Sequence, residues 1–600
     1  MSHKTFSQTW DLDSIYPGGS SSGALKQELA SLEKEIPALQ ARAAQLGAPQ
    51  SPEAVTGWSS LLTAMMDLAS RLRQTGAYIN CLNSQNMKDA EARVLGGRHR
   101  QIAASFAQLS TVIDAQLLAI PAPAWDALLA MEQFREVRFN LAEKRRRAAE
   151  KLPPEQEALS ASLSANGYHG WNEMYNAIVG QMSVPWEKDG KEVALSMSQA
   201  ANLLSDADRA VRQEMAARYG KAWSDNADLF ATVLNNLGGF RLNLYQARGW
   251  DSVLHEPLDM NRMTAQTLDT MWDVIVKNRP VLVEYLKRKA ELLGLERLNW
   301  YDMGAPLGSV ERKVTYEEAA AFIITHFGKF SPELAAFAEH AFEARWIEAK
   351  DRPGKRPGGF CTSFPLAKQS RIFMTFAGNP RNVSTLAHEL GHAYHQSVMN
   401  DLPQMAQGYA MNVAETASTF AEMIVADAAV QAAASEEERL ALLDGKARQA
   451  VAYLMSLHAR FTFELAFYAE RKRGPVSAQR LSALMHEAME TAHGGAMGEY
   501  SAHAWAGTLH YYLTGVPFYN FPYTFGYLFS AGIYARAQAE GPGFVAKYNA
   551  LLRDTGRMQV EDLARQHLGV DLTGPEFWQS ALNVVLADVH RFLKLTEKTT

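Results

Sequence analysis

Two histidines stand four residues apart, with a glutamate beside the first, in the stretch Thr385-Leu-Ala-His-Glu-Leu-Gly-His-Ala-Tyr-His395. On an α-helix, positions i and i+4 share a face about 5–6 Å apart at Cβ. His388 and His392 can therefore both reach one ion at the ~2.0–2.1 Å of a zinc–nitrogen bond. Glu389 follows one position on, ~100° around the helix, so it points beside such an ion rather than at it. A carboxylate placed there can take a proton from water that the metal has acidified, and the pair generates a nucleophile at neutral pH. Leu386, Ala387, Leu390 and Ala393 are apolar or small, as suits a helix buried in an enzyme.

A catalytic zinc usually takes three protein ligands and leaves a fourth position for water. The third candidate is Glu415, in Asn412-Val-Ala-Glu-Thr-Ala-Ser-Thr-Phe-Ala-Glu422, a helical segment of small residues able to pack closely on the first. Asn412 and Glu415 also have the spacing of a helix cap and its returning carboxylate, so both readings stand at this point. Glu422, two turns on, is placed to orient His388 or His392, a common role for a carboxylate beside a zinc-bound imidazole; a surface charge is the alternative. His395 would be a third adjacent ligand on one helix, and a packed or hydrogen-bonded histidine suits it better.

One more stretch could do chemistry: His510-Tyr-Tyr-Leu-Thr-Gly-Val-Pro-Phe-Tyr-Asn-Phe-Pro-Tyr-Thr-Phe-Gly-Tyr527. Phe518, Phe521 and Phe525 read as core. Tyr519, Tyr523 and Tyr527 recur every four residues after His510, and their hydroxyls could steady a tetrahedral oxyanion and hold substrate carbonyls.

These groups need a scaffold, and the pattern around them is mainly helical. Leu25, Leu29, Leu32, Ile36 and Leu39 recur at helical spacing, as do Leu61, Met65, Leu68 and Leu72, so residues 23 to about 152 read as a helical bundle. Pro153 and Pro154 interrupt it and Glu155 and Glu157 favour a new helix. Around Asp189-Gly190, short extended runs predict a two-residue hairpin. Helices resume near Ser198, with starts at Ser205-Asp-Ala-Asp208, at the capping box Thr315-Tyr-Glu-Glu318 and at Ser331-Pro332-Glu333. Lys350–Phe360 is rich in Gly, Pro and basic residues and reads as a loop. Ser370–Phe376 predicts a strand, either a core strand or an edge that pairs with extended peptide backbone. Asn382 or Ser384 could cap the helix that carries His388. A boundary near residue 195 divides an N-terminal helical part, 1–195, from a catalytic part, 196–600.

The chain has 600 residues, 47% of them hydrophobic, enough for a large core. Its net charge of −6 argues against a phosphate-binding surface, so no nucleic-acid partner is expected. The one basic run, Lys144-Arg-Arg-Arg147, is flanked by Glu143 and Glu150 as on a solvated helix face. Cys81 and Cys361 are too few and too far apart for a disulfide framework, which fits a reducing compartment. The N-terminus lacks the apolar core of a signal peptide and no run of eighteen apolar residues occurs. A soluble, cytoplasmic protein without a membrane partner is expected; oligomeric state is left open.

The motif TLAHELGHAYH, the downstream AETASTFAE and the block PFYNFPYTFGYLFS together resemble the oligoendopeptidase F branch of the thimet oligopeptidase family. The opening TWDLDSIYP and the block GKRPGGFC are similar to that branch as well. The resemblance implies a mainly α, clam-like, two-lobed protein with a deep channel and a small β-sheet beside a thermolysin-like pair of zinc helices. It implies one Zn2+ per chain on His388, His392 and Glu415, Glu389 as general base, and Tyr519, Tyr523, Tyr527 and His510 as substrate and transition-state groups. The spacing from His510 to the tyrosines is longer than in the thimet branch. Asn382 stands where an acid is often expected, a departure that leaves the ligands untouched.

The expected activity is hydrolysis of internal bonds in short unfolded peptides. A dipeptidyl carboxypeptidase of the same family is the nearest alternative, and would need a cation for the substrate's terminal carboxylate; Arg356, Arg371 and Arg381 are the suspects. A peptide-binding protein with a structural zinc would need a fourth ligand, and no cysteine lies near the motif.

Overall fold

A computed structural model describes residues 4–188, 190–308 and 313–597. The chain is mainly α, with helices joined by short loops and three small sheets among the described residues. It gathers into two compact units, each drawn from three stretches of sequence. The first takes Met1–Lys151, Arg312–Ala428 and Arg536–Gly569; the second takes Leu152–Glu311, Ala429–Ala535 and Val570–Thr600.

The first unit opens with the helices Gly23–Leu46, Pro52–Gln85, Ala90–Ala119, Ala122–Ala130 and Arg138–Ala149. Ser22 and Asp89 cap two of them by accepting the N–H of Leu25 and Ala92. The apolar stripe Leu25, Leu29, Leu32, Ile36 and Leu39 is buried against Leu61, Met65 and Leu68, together with Leu109, Ile113 and Leu117. Each fully buried leucine or isoleucine contributes about 1.5–3 kcal/mol, so the stripe alone fixes how these helices meet. Polar ties set their register: Trp58 Nε1 donates to Gln116 Oε1 at 2.8 Å, and Gln116 Nε2 donates to the Ala43 carbonyl at 2.6 Å. The helix Ala90–Ala119 is long and apolar enough to cross a membrane by length and composition; here it packs on the two helices before it. The basic run behaves as a helix face, Lys144 pairing with Asp114 at 2.7 Å and Arg146 with Glu150 at 2.9 Å.

The sheet of this unit has Gln369–Phe373 at its centre. That strand runs parallel to Ile347–Glu348 on one side and antiparallel to Phe360–Phe364 on the other, with Phe360 opposite Phe373 and Phe364 opposite Gln369. The Ser370–Phe376 stretch is therefore an interior strand with both sides used, and cannot pair with a peptide. The strand at the other edge is Phe360–Phe364, half-buried over its first three residues and buried over its last two, and it follows the Gly/Pro loop. That loop is ordered by a buried lysine: Lys355 Nζ donates to the carbonyls of Met374 at 2.7 Å and Lys350 at 2.9 Å, and lies 4.8 Å from the centre of the Phe373 ring.

The second unit begins with helices Pro154–Ser164 and Gly170–Gln181, followed by the antiparallel pair Ser183–Lys188 and Lys191–Ser196, with Val184 opposite Leu195. Gly190 takes φ 71°, as the predicted turn needs; Asp189 lies outside the described residues. Asp208 caps the helix Arg209–Asp225. Several buried polar groups of this unit are paired. Lys289 Nζ meets Asp444 at 3.0 Å, Tyr285 donates to the same carboxylate at 2.7 Å, and Arg241 donates to Tyr468 Oη at 3.0 Å and to the Leu513 carbonyl at 2.6 Å.

Candidate active site

The helix that carries the two histidines spans Pro380–Ser397 and starts earlier than the sequence suggested. Asn379, not Asn382 or Ser384, is the cap. It accepts the Asn382 N–H at 3.0 Å, and Asn382 returns its own side chain to the Asn379 N–H at 3.4 Å, while Pro380 takes the first helical position, where no N–H is needed. Asn412 lies inside a helix rather than at its start, and Ala410 is the N-cap. A short helix, Met411–Ala414, ends at Glu415, and the longer helix Thr416–Ala432 begins immediately after it.

The two helices touch at Gly391. A Cβ added there would stand 2.5 Å from the Ala417 carbonyl oxygen and 2.6 Å from Ser418 Cα, so only glycine permits this backbone approach. The contact brings Glu415 to the histidines. Its Oε2 lies 3.3 Å from His388 Nε2 and 3.5 Å from His392 Nε2, and donor atoms of the three residues all fall within 4.8 Å of one another. Among the described residues this is the one group with the spacing to hold a metal.

Neighbouring side chains aim these donors. Glu422 Oε2 lies 3.3 Å from His388 Nδ1, so that nitrogen is the one placed to keep a proton when a metal takes Nε2. Ser418 Oγ donates to Glu415 Oε2 at 2.8 Å. Burial disfavours a charged His388, yet Glu422, Glu415 and Glu389 more than offset that and raise it to about 9. His392 is pushed the other way, to about 4, by burial and by His388. Three carboxylates around two imidazoles form a site that calls for a cation, and its donor set of two nitrogens and one carboxylate fits a divalent metal such as zinc.

Glu389 is buried beside this group, its Oε2 without a hydrogen-bond partner. Burial pushes its carboxyl up to about 7, against the pull of His388 and with the help of Glu415. The edge strand runs past it: a Cβ on Gly359 would come 3.3 Å from Glu389 Oε1. His395 packs as expected, donating or accepting at Thr555 Oγ1 over 2.9 Å and stacked at 4.3 Å on Tyr409.

His510 and the three tyrosines belong to the second unit. His510 lies 4.6 Å from Tyr519 and stacks at 5.8 Å on Tyr523, and those two tyrosines are 5.0 Å apart, measured between ring centres. Tyr527 is buried and stacks instead on Tyr453 at 4.7 Å. Glu464 anchors the segment, accepting the Phe518 N–H at 3.3 Å and Asn520 Nδ2 at 2.8 Å, where Phe518 takes φ 52°. Phe518, Phe521 and Phe525 are core, as expected.

Sequence reasoning passed over Gly391, Gly359, Ser418 and Glu464. Gly391 alone carried a signal, a small residue between the two histidines on a helix that must meet another closely. Of the three suspected arginines, Arg371 is fully buried and spent on the Asp11 carbonyl at 2.7 Å and Ser14 Oγ at 2.9 Å.

Two imidazoles and a carboxylate converging on one point, with a buried carboxyl beside them on a helical scaffold, define a metal-dependent hydrolase. The chain belongs to Peptidase family M3, which matches residues 202–584, and is a metalloendopeptidase. Residues 116–183 match a second family description, Oligopeptidase F. The chain is 23% identical to Oligopeptidase PepF of Bacillus subtilis over 581 residues, covering 95% of this chain and 84% of that protein. It is 22% identical to an Oligoendopeptidase F homolog of Lactococcus lactis, covering 98% and 97%. Its fold matches a Chlamydophila abortus protein with TM-score 0.85 at 20% identity over 98% of each chain. It also matches oligoendopeptidase-F from Enterococcus faecium with TM-score 0.71 at 18% identity, over 95% of this chain and 99% of that one.

Proposed function

We propose that the chain is a zinc-dependent oligoendopeptidase that hydrolyses internal bonds of short, unfolded peptides. The observation that carries this is the convergence of His388 Nε2, His392 Nε2 and Glu415 Oε2 beside an unpartnered Glu389 carboxyl. When bound there, zinc supplies a Lewis acid that acidifies water and polarises the scissile carbonyl.

The protein's own groups do the rest. Glu389 accepts the proton of the attacking water and passes it to the leaving amine, a role open to a buried carboxyl with no hydrogen-bond partner on Oε2. Glu422 holds His388 in the tautomer that presents Nε2, and Ser418 fixes the Glu415 carboxylate. The edge strand Phe360–Phe364 makes no backbone hydrogen bond among the described residues beyond its pairing with Gln369–Phe373, so extended peptide backbone can add to it without demanding particular side chains. We assign oxyanion and substrate-carbonyl contacts to Tyr519, Tyr523 and Tyr527, with His510 beside the first two; the family motif supports this. Residues 196–600 are taken as the catalytic part and 1–195 as the N-terminal helical part. Two unpaired cysteines support a reducing, cytoplasmic setting.

The dipeptidyl carboxypeptidase reading loses Arg371 as an anchor, since its donors are already used. The binding-protein reading falls with membership of a peptidase family. Mass spectrometry of products from blocked and free peptides of graded length, with and without a chelator, tests the proposal. Internal cuts in short peptides that vanish on chelation are expected; C-terminal dipeptides alone would move the assignment to the carboxypeptidase.

A further inference from the structure

Beside the edge strand Phe360–Phe364 lies a cation that no carboxylate among the described residues neutralises. Arg73 is exposed on the helix Pro52–Gln85, forms no ion pair among the described residues, and makes one long side-chain contact, 3.5 Å from a guanidinium nitrogen to Ser363 Oγ. Its near neighbour Arg71 shows the contrast, being paired with Glu28 at 2.5 Å and Glu35 at 2.7 Å.

Alternation along an extended chain puts Gly359, Cys361 and Ser363 on one face. At one end of that row the added Cβ of Gly359 would meet Glu389 Oε1; at the other, Ser363 meets Arg73. Cys361 between them feels the charges of both Glu389 and Arg73. Tyr409, stacked on His395, feels both Arg73 and Glu415. Four residues of strand span about 13 Å, so the guanidinium stands roughly that far along the edge from the carboxyl assigned as base.

We propose that Arg73 is a specificity subsite that binds a carboxylate of the peptide, three or four residues from the bond cut, when the peptide lies along the Phe360–Phe364 edge. The inference rests on the oligoendopeptidase reading above. A planar guanidinium matches a carboxylate with two parallel hydrogen bonds, and an exposed arginine with no ion-pair partner among the described residues breaks no ion pair to do so. The carboxylate has two possible sources, an acidic side chain or the free C-terminus.

The test uses the metal-loaded full chain and neutral reporter peptides into which one Asp, or Asn as control, is moved through positions two to five on each side of the cut, each as free acid and as amide. Wild type should prefer Asp to Asn by about fivefold in kcat/KM at one position three or four residues away, chiefly through KM, and less so at high salt. Arg73→Gln should erase that preference while leaving neutral peptides within about twofold, and Arg73→Lys should keep part of it. If only free acids gain, and only they lose in Arg73→Gln, the group bound is the terminal carboxylate. An unchanged preference in Arg73→Gln, or equal losses on acidic and neutral peptides, overturns the proposal. Cleavage of neutral peptides with no preference for Asp or for the free acid removes Arg73 alone, whereas no cleavage of any peptide removes the functional reading and Arg73 with it.

Discussion

Replacing Gly391 by alanine should damage the metal centre without touching a ligand. The new methyl group would lie 2.5 Å from the Ala417 carbonyl oxygen and 2.6 Å from Ser418 Cα, whereas ordinary contact begins near 3.4 Å. Both obstacles are backbone, so no side chain can swing aside, and the helices Pro380–Ser397 and Thr416–Ala432 must part by roughly 0.9 Å at this point, the gap by which the contact falls short. Overpacking of this kind costs about 1–3 kcal/mol of stability. The larger effect falls on the site, because metal–ligand distances tolerate only about 0.2 Å and Glu415 rides on the displaced element. Metal affinity, measured by competition with a chromogenic chelator, should fall at least tenfold to a hundredfold, and kcat/KM should fall with it at limiting metal. A variant with wild-type metal affinity and wild-type melting temperature would refute the reasoning, for it would mean the close approach does not position Glu415.

Glu422→Gln should lower metal affinity about tenfold to a hundredfold while leaving the fold intact, because the carboxylate that fixes the His388 tautomer is lost; chelator competition reads this directly. Removing metal should lower the melting temperature, since a ligand held at a thousand times its Kd stabilises the native state by about 4.1 kcal/mol; equal melting of metal-free and metal-loaded protein would count against the three donors. His458 supplies a pH test in the second unit: its Nδ1 lies 3.1 Å from Arg279 Nη2, and burial, with Arg279, pushes its pKa down to about 4. Above about pH 6.5 the ring is neutral in both states, and below it the unfolded chain takes up the proton first. The stability that this group contributes is thus complete above pH 6.5 and is lost as the pH falls towards 4, by at most about 1.4 kcal/mol per unit. Denaturation of His458→Gln across pH 4–7 should show a correspondingly shallower slope.

Much of this was legible in the sequence because local chemistry fixed it. The stripe from Leu25 to Leu39 gave its face by period alone, and Asp208, Thr315 and Ser331 cap the helices they were expected to start. The spacing of His388 and His392 fixed their common face, and their convergence with Glu415 follows it. What was left open or misread depended mostly on partners distant in sequence. Ser370–Phe376 has the composition of any strand, and only its pairing on both sides with Ile347–Glu348 and Phe360–Phe364 makes it interior. The cap was misplaced because Asn379, Asn382 and Ser384 all have capping chemistry; Pro380 fills the first turn. Arg371 looked available because nothing nearby in sequence shows that the Asp11 carbonyl and Ser14 claim it. Arg73 meets Ser363 across 290 positions of sequence, which no local pattern encodes.

The central claim is that Glu389 moves the proton at a metal held by His388, His392 and Glu415. It is tested most directly by Glu389→Gln, loaded with zinc to the same stoichiometry as wild type and assayed by mass spectrometry on short blocked peptides. Glutamine keeps the shape and removes the base. The expected result is one bound zinc per chain with peptide turnover reduced at least a thousandfold, consistent with loss of an acid–base group worth about 10²–10⁴ in each proton transfer. Turnover within tenfold of wild type at full zinc occupancy would contradict the claim and place the base elsewhere.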